Sequence, residues 1–232
     1  MTRDPGMQET RSRFFRRRKG HPLRQRQQEL IDTRLPELLI DIERLPGSLV
    51  DLFPRHVSQV HLEIGFGGAE HLAHRAASEP ETGFIGCEPF LNGVAKALVA
   101  VEERGLDNVR LFDSDARLLL AALPGASLDR IWMLYPDPWP KKRHRKRRLL
   151  NEETAPEMAR ILRPGAELRF ATDIDDYADW TLRCIAGVDA LCWTAARPAD
   201  WREPWAGWPG TRYEAKALRE GRKPGYFTFA RI

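Results

Sequence analysis

Gln59-Val60-His61-Leu62-Glu63-Ile64-Gly65-Phe66-Gly67-Gly68 decides how the rest of the chain is read. Its β-rich front predicts a strand that ends in glycines, and the helical run from Ala69 to Ser78, stopped by Pro80, predicts a helix directly after them. Strand, glycine turn and helix in that order open a parallel α/β fold. Downstream, Gly83-Phe84-Ile85-Gly86-Cys87-Glu88 predicts a second strand. Its following helix places Leu91, Val94, Ala95, Leu98 and Val101 on one stripe and ends at Gly105. Further strands are predicted through Asn108 to Phe112, through Leu128 to Leu134 and, after an Arg163-Pro164-Gly165 turn, through Ala166 to Ala171. Five strands with helical crossovers predict a Rossmann-like, doubly wound, mostly parallel sheet. The tail from Gly225 to Ile232 reads as a last strand without a crossover helix of its own, hence antiparallel.

Upstream, the apolar pattern begins at Leu30, so residues 1–29 are expected to form a basic, flexible extension and residues 30–232 one principal domain. The chain has 232 residues, 42% of them hydrophobic, enough for one good core. Its net charge of +4 hides a strong asymmetry. Eight basic residues and no acid lie between Arg11 and Arg26, and seven more lie in Lys141 to Arg148, so the remainder carries −11. Segregation of this kind is the footprint of a polyanion-binding protein. Cys87, Cys184 and Cys192 lack CxxC spacing and fit unpaired thiols in a reducing compartment. With no apolar run of transmembrane length and no hydrophobic signal-peptide core, the expectation is a cytoplasmic protein off the membrane. His71 and His74 have no third ligand at a convincing spacing, so no metal is expected and both are read as helix-surface residues.

In doubly wound sheets ligands sit beyond the carboxyl ends of the strands. Gly65, Gly67 and Gly68 allow a tight turn there, ahead of a helix N-terminus that suits an anionic group. Glu88 stands 20 residues past Gly68, where a carboxylate can accept both hydroxyls of a ribose. Asp115 follows the third strand, placed to accept from an adenine amine, while Glu63 lies near the end of the first, where a structural bond to the glycine loop is the plainer role. Acids at successive strand ends favour an adenosine-containing cofactor. Nicotinamide dinucleotides prefer a complete GxGxxG, whereas S-adenosylmethionine tolerates the looser turn found here. The fourth strand decides for the second cofactor, because it delivers Pro136-Asp137-Pro138-Trp139, a stiff loop that presents an acid and an aromatic able to hold a planar base.

The motifs Leu62-Glu63-Ile64-Gly65-Phe66-Gly67, Gly86-Cys87-Glu88-Pro89-Phe90, Pro136 to His144, Ala171-Thr172-Asp173 and Thr211-Arg212-Tyr213-Glu214 occur in one order along the chain. In this the sequence resembles the bacterial tRNA (guanine-N7)-methyltransferases from about Arg13 to Ile232, with Tyr213 where Phe is common. The resemblance implies the class I methyltransferase sheet, S-adenosylmethionine as cofactor and a guanine at position 46 of the tRNA variable loop as substrate. It places Glu63, Gly65, Gly67, Glu88, Asp115 and Asp137 around the cofactor, with Asp137 also catalytic. Lys141, Asp173, Thr211, Arg212, Tyr213 and Glu214 would contact the substrate, and Arg143, His144, Arg145, Lys146, Arg147 and Arg148 the RNA. A monomer or weak homodimer without an obligate protein partner is expected. Two alternatives stay open from the residues alone: an amino-methyltransferase with an Asp-Pro-Pro-Trp type of loop, and a non-catalytic RNA-binding protein on the same fold. Trp193, Trp201, Trp205 and Trp208 are expected chiefly to pack the C-terminal part, with base stacking as the alternative.

Overall fold

The computed structural model describes residues 20–232. Most of the predicted basic extension, including Arg11 to Lys19, therefore lies outside the described residues. Seven strands form one sheet among the described residues: β1 (Gln59–Ile64), β2 (Thr82–Cys87), β3 (Val109–Phe112), β4 (Leu128–Leu134), β5 (Leu162–Thr172), β6 (Leu191–Trp193) and β7 (Gly225–Arg231), in the order β3-β2-β1-β4-β5-β7-β6. The first five run parallel, while β7 is antiparallel to both β5 and β6. Strand order reverses between β1 and β4, where a crevice opens above the sheet. Ile64 pairs with Cys87 on one side and Met133 on the other, so the chains leave three neighbouring strands at one level. That level is where the acids fall.

Burial explains why the strands read so clearly. Every residue of β2 is buried, as expected for a parallel strand covered on both faces. On one face Val60, Leu62, Ile131 and Phe170 pack beneath α5 (Ala116–Ala122), α6 (Thr154–Ile161) and α7 (Asp175–Ala186). On the other, Phe84, Leu72 and Leu98 pack with α3 (Glu70–Ser78) and α4 (Leu91–Arg104). The predicted α4 stripe is the buried one, and Gly105 closes the helix at φ 61°, letting Leu106 N donate to Val101 O at 3.0 Å. Ahead of these elements, α1 (Gln25–Thr33) rests beside α4 and α2 (Leu35–Leu38) beside β3, and Gly20 N donates to Asn92 Oδ1 at 2.8 Å. α1 thus starts inside the span predicted as an extension.

Three local readings change. β5 begins at Leu162, ahead of the Pro164-Gly165 turn, because the turn is absorbed as a bulge: Leu128 pairs with Leu162, yet Arg130 already pairs with Glu167. β6, of three residues, was too short for a periodic signal. His71 is not on the helix surface: it is 2% exposed, and its Nδ1 lies 2.7 Å from Glu63 Oε2. His74 is exposed as expected.

Candidate active site

The glycine turn is built by two residues in left-handed backbone, Gly65 at φ 76° and Gly67 at φ 57°. Gly67 N donates to Glu88 Oε2 at 2.9 Å, and Phe90 N donates to Glu88 Oε1 at 3.0 Å, so one buried carboxylate ties the first turn to the second. α4 packs against this turn so tightly that a Cβ on Gly93 would stand 2.5 Å from Gly67 O. At the end of β3, Asp115 caps α5, accepting from Arg117 N at 3.0 Å, and also receives the Arg117 guanidinium, with Nη2 to Oδ2 at 2.7 Å.

Above β4 the chain is less ordinary. Tyr135 and Trp139, both bulky and neither glycine, stand at φ 50° and 41° and bracket Pro136-Asp137-Pro138. Tyr135 N donates to Ala171 O at 2.8 Å, fixing the loop's entry. Burial, with Tyr226 and Glu214 nearby, pushes the Tyr135 hydroxyl above its ordinary range, so it stays protonated. Asp137 and Trp139 then face a pocket of about 930 Å³, open mouth included, whose wall also holds Gly65, Gly67, Glu88 and Asp115. Tyr213 stands at its rim, 44% exposed.

The basic segment after the loop folds as a 3-10 turn, Lys142–Arg147. Lys141, Lys142, Arg143 and Lys146 face solvent. The Arg147 guanidinium lies 4.9 Å above the Trp139 ring and lines the pocket, and the His144 ring meets Trp139 edge-on at 6.0 Å. Arg145 pairs with Asp176, and its side chain keeps 35% exposure. Arg148, expected on RNA, corrects that expectation: its side chain is fully enclosed and bonded to Pro138 O and to Asp176, which leaves no surface for a phosphate.

Two other expected substrate residues are occupied within the protein. Asp173, at the end of β5, accepts from Arg222 Nε. Glu214 is buried in a capping box with Thr211 that starts α9 (Arg212–Arg219), where it accepts from Thr211 N at 3.2 Å and Trp208 Nε1 at 2.8 Å and also from the Tyr226 hydroxyl. Arg212 is exposed, with Nη2 3.2 Å from the Tyr213 hydroxyl. Glu63, expected beside the cofactor, is bonded to His71 of α3 and is not among the residues of the pocket wall. Sequence reasoning missed Arg117, for which the Asp115-Ala116-Arg117 start of a helix was the available signal, and it missed the placement of Arg147 in the wall.

The tryptophans mostly pack. Trp205 meets Trp132 at 5.5 Å and donates from Nε1 to Thr228 Oγ1 at 2.9 Å, and Trp201 stacks on Phe227 at 5.8 Å. Trp193 is 38% exposed. Among the described residues no helix is long and apolar enough to cross a membrane, and no three His, Cys, Asp or Glu side chains gather as metal ligands.

The donor set suits S-adenosylmethionine: a carboxylate at the end of β2 for ribose hydroxyls, a capping acid after β3, and apolar Ile64, Met133 and Leu149 for the flat base. Sheet order and pocket together define a class I methyltransferase. The fold is shared with the 16S rRNA methyltransferase KamB, at 17% identity and TM-score 0.59 over 82% of this chain and 95% of that one. It is also shared with the aminoglycoside resistance methyltransferase NpmB1, at 16% identity and TM-score 0.56 over 82% and 95%. A family model described as a putative methyltransferase matches residues 57–225. The tRNA (guanine-N(7)-)-methyltransferase of Agrobacterium fabrum strain C58 is 55% identical over 94% of each chain, and that of Rhizobium meliloti strain 1021 is 52% identical over the whole of both. The chain belongs to the tRNA (guanine-N7)-methyltransferase family.

Proposed function

We propose that the protein transfers a methyl group from S-adenosylmethionine to N7 of a guanine in tRNA, at position 46 of the variable loop, and that Asp137 orients the base. The observation that carries this reading is the presence of Asp137, on a loop clamped by prolines, in the same pocket wall as Glu88 and Asp115, in a chain of this family. Bound in this pocket, S-adenosylmethionine supplies an electrophilic methyl on a sulfonium. Guanine N7 carries an in-plane lone pair and no proton, so the protein needs no general base for the attack.

The task left to Asp137 is geometric. Its carboxylate accepts from the N1 and N2 donors of the base and keeps N7 in line with the methyl, which is catalysis by orientation. The same negative charge offsets the positive charge that develops on the purine. Glu88 and Asp115 hold the ribose and the adenine, while Tyr213 and Arg147 stand at the rim where the nucleotide enters. Lys141, Arg143 and Lys146 face outward and suit the phosphates, contacts that position RNA without reading its bases. Choice of one guanine then rests on tRNA shape and on an unpaired or extruded base. This work suits a cytoplasmic monomer or weak homodimer.

Incubation with labelled S-adenosylmethionine and bulk tRNA, followed by nucleoside analysis, tests the reading. Labelled 7-methylguanosine is expected. Methylated adenine or cytosine would replace it with the amino-methyltransferase alternative, and no transfer would favour a binding protein.

A further inference from the structure

We infer that Arg148 is a positioning residue: it holds the Pro136-Asp137-Pro138 loop by its carbonyl, and Asp176 at the start of α7 aims it. The inference rests on the guanine-N7 reading only through the role given to Asp137.

The loop has few backbone donors of its own. Pro136, Pro138 and Pro140 have no N–H to donate, and Tyr135 and Trp139 occupy the left-handed region that bulky residues avoid. A conformation of that kind persists only where its surroundings over-determine it. The entry is fixed by Tyr135 N on Ala171 O at 2.8 Å, and the middle is fixed by Arg148, whose Nε donates to Pro138 O at 2.8 Å.

Arg148 is itself immobilised on every side. Its Nη1 donates to Asp176 O at 3.2 Å and its Nη2 to Asp176 Oδ2, while the guanidinium carbon lies 4.6 Å from the Tyr177 ring centre and 5.3 Å from that of Trp180. Each of its three nitrogens is therefore engaged inside the protein. Asp176 receives Arg145 on its other oxygen and sits in the first turn of α7, where the helix dipole favours a negative charge. Its carboxyl is held below the ordinary range, first by the Arg148 hydrogen bond. The chain of contacts runs from the α7 N-terminus through Asp176 and Arg148 to the carbonyl adjoining Asp137. Only a planar fork serves this geometry, since one lysine head cannot reach the carbonyl and the carboxylate in the same way.

The test uses the full chain with Arg148→Lys, which keeps the charge, and Asp176→Asn, at a half-exposed position, should the first fold poorly. Steady-state methylation of a tRNA transcript is measured well below each variant's unfolding midpoint, with S-adenosylmethionine and tRNA affinities determined separately. We expect kcat to fall roughly 10- to 100-fold, as for a misplacement of about 1 Å, with both affinities within about threefold of the parent. We also expect Arg148→Lys combined with Asp137→Ala to fall no lower than Asp137→Ala alone. A loss confined to tRNA affinity would make Arg148 a phosphate ligand after all. A lowered unfolding midpoint with kcat intact would reduce it to packing, and additive losses would sever it from Asp137. Near-normal turnover in Asp137→Ala would remove the reading of Asp137 itself, and this inference with it.

Discussion

The two sides of the pocket are held in different ways. On the cofactor side, Glu88 bonds to Gly67 and Phe90 and Asp115 bonds to Arg117, each acid closing onto backbone or a side chain of the glycine turn or of its own turn. On the side proposed for the base, the loop that carries Asp137 is bonded through Pro138 O to Arg148 and, beyond it, to Asp176 from another element, while Asp173 is met by Arg222 and Glu214 by Tyr226. The first side is assembled from turns. The second is bonded by side chains that reach in from other elements of the tertiary structure.

The largest effect expected from probing this contrast is that of Asp137→Ala. Turnover should fall by about 100-fold or more, with an unchanged circular dichroism spectrum, because orientation is lost and the scaffold is not. On the cofactor side, Glu88→Gln should weaken S-adenosylmethionine binding about tenfold by calorimetry, the scale of one hydrogen bond to a charged group. If turnover at saturating cofactor fell equally, the division between the sides would be wrong.

Beneath both sides lies His61, 1% exposed, whose imidazole is pushed down to about 3 by burial and then by Arg130, Arg75, Arg169 and His71. The unfolded chain therefore binds a proton below about 6.5 that the folded chain refuses, and stability falls as pH drops from there toward 3. At pH 5 the expected loss is about 2 kcal/mol relative to pH 7, from roughly 1.4 kcal/mol per pH unit. Urea titrations at the two pH values measure it, and His61→Phe should flatten the difference. The smallest effect belongs to Arg143→Ala. Filter binding should report a few-fold weaker tRNA affinity and a salt slope shallower by about 1, with cofactor affinity unchanged.

The same contrast decides what the sequence could reveal. β1, α3 and β4 were legible because a parallel strand, a glycine turn and an amphipathic helix are each written in neighbouring residues. Glu88, Asp115 and Asp137 were legible as strand-end acids, and all three line the pocket. Nothing in a run of seven cations marks Arg148 as the one that folds inward, since its partner Asp176 lies 28 residues away. Glu214 was read as a substrate residue, although Thr211-Arg212-Tyr213-Glu214 is also a capping box, and the local reading describes its bonds. His71 was misread because its partner Glu63 is on the strand across the glycine turn, not on its own helix.

The place of β7 between β5 and β6 has a consequence for how the protein is made. β6 must wait for a strand translated about thirty residues later before it can join the sheet, whereas β1 to β4 can pair in the order in which they leave the ribosome. The strand ends that carry Glu88 and Asp115 can therefore be paired while Tyr213, Glu214 and Arg222 are still emerging. Protease digestion of stalled nascent chains should resolve these as two separate folding events.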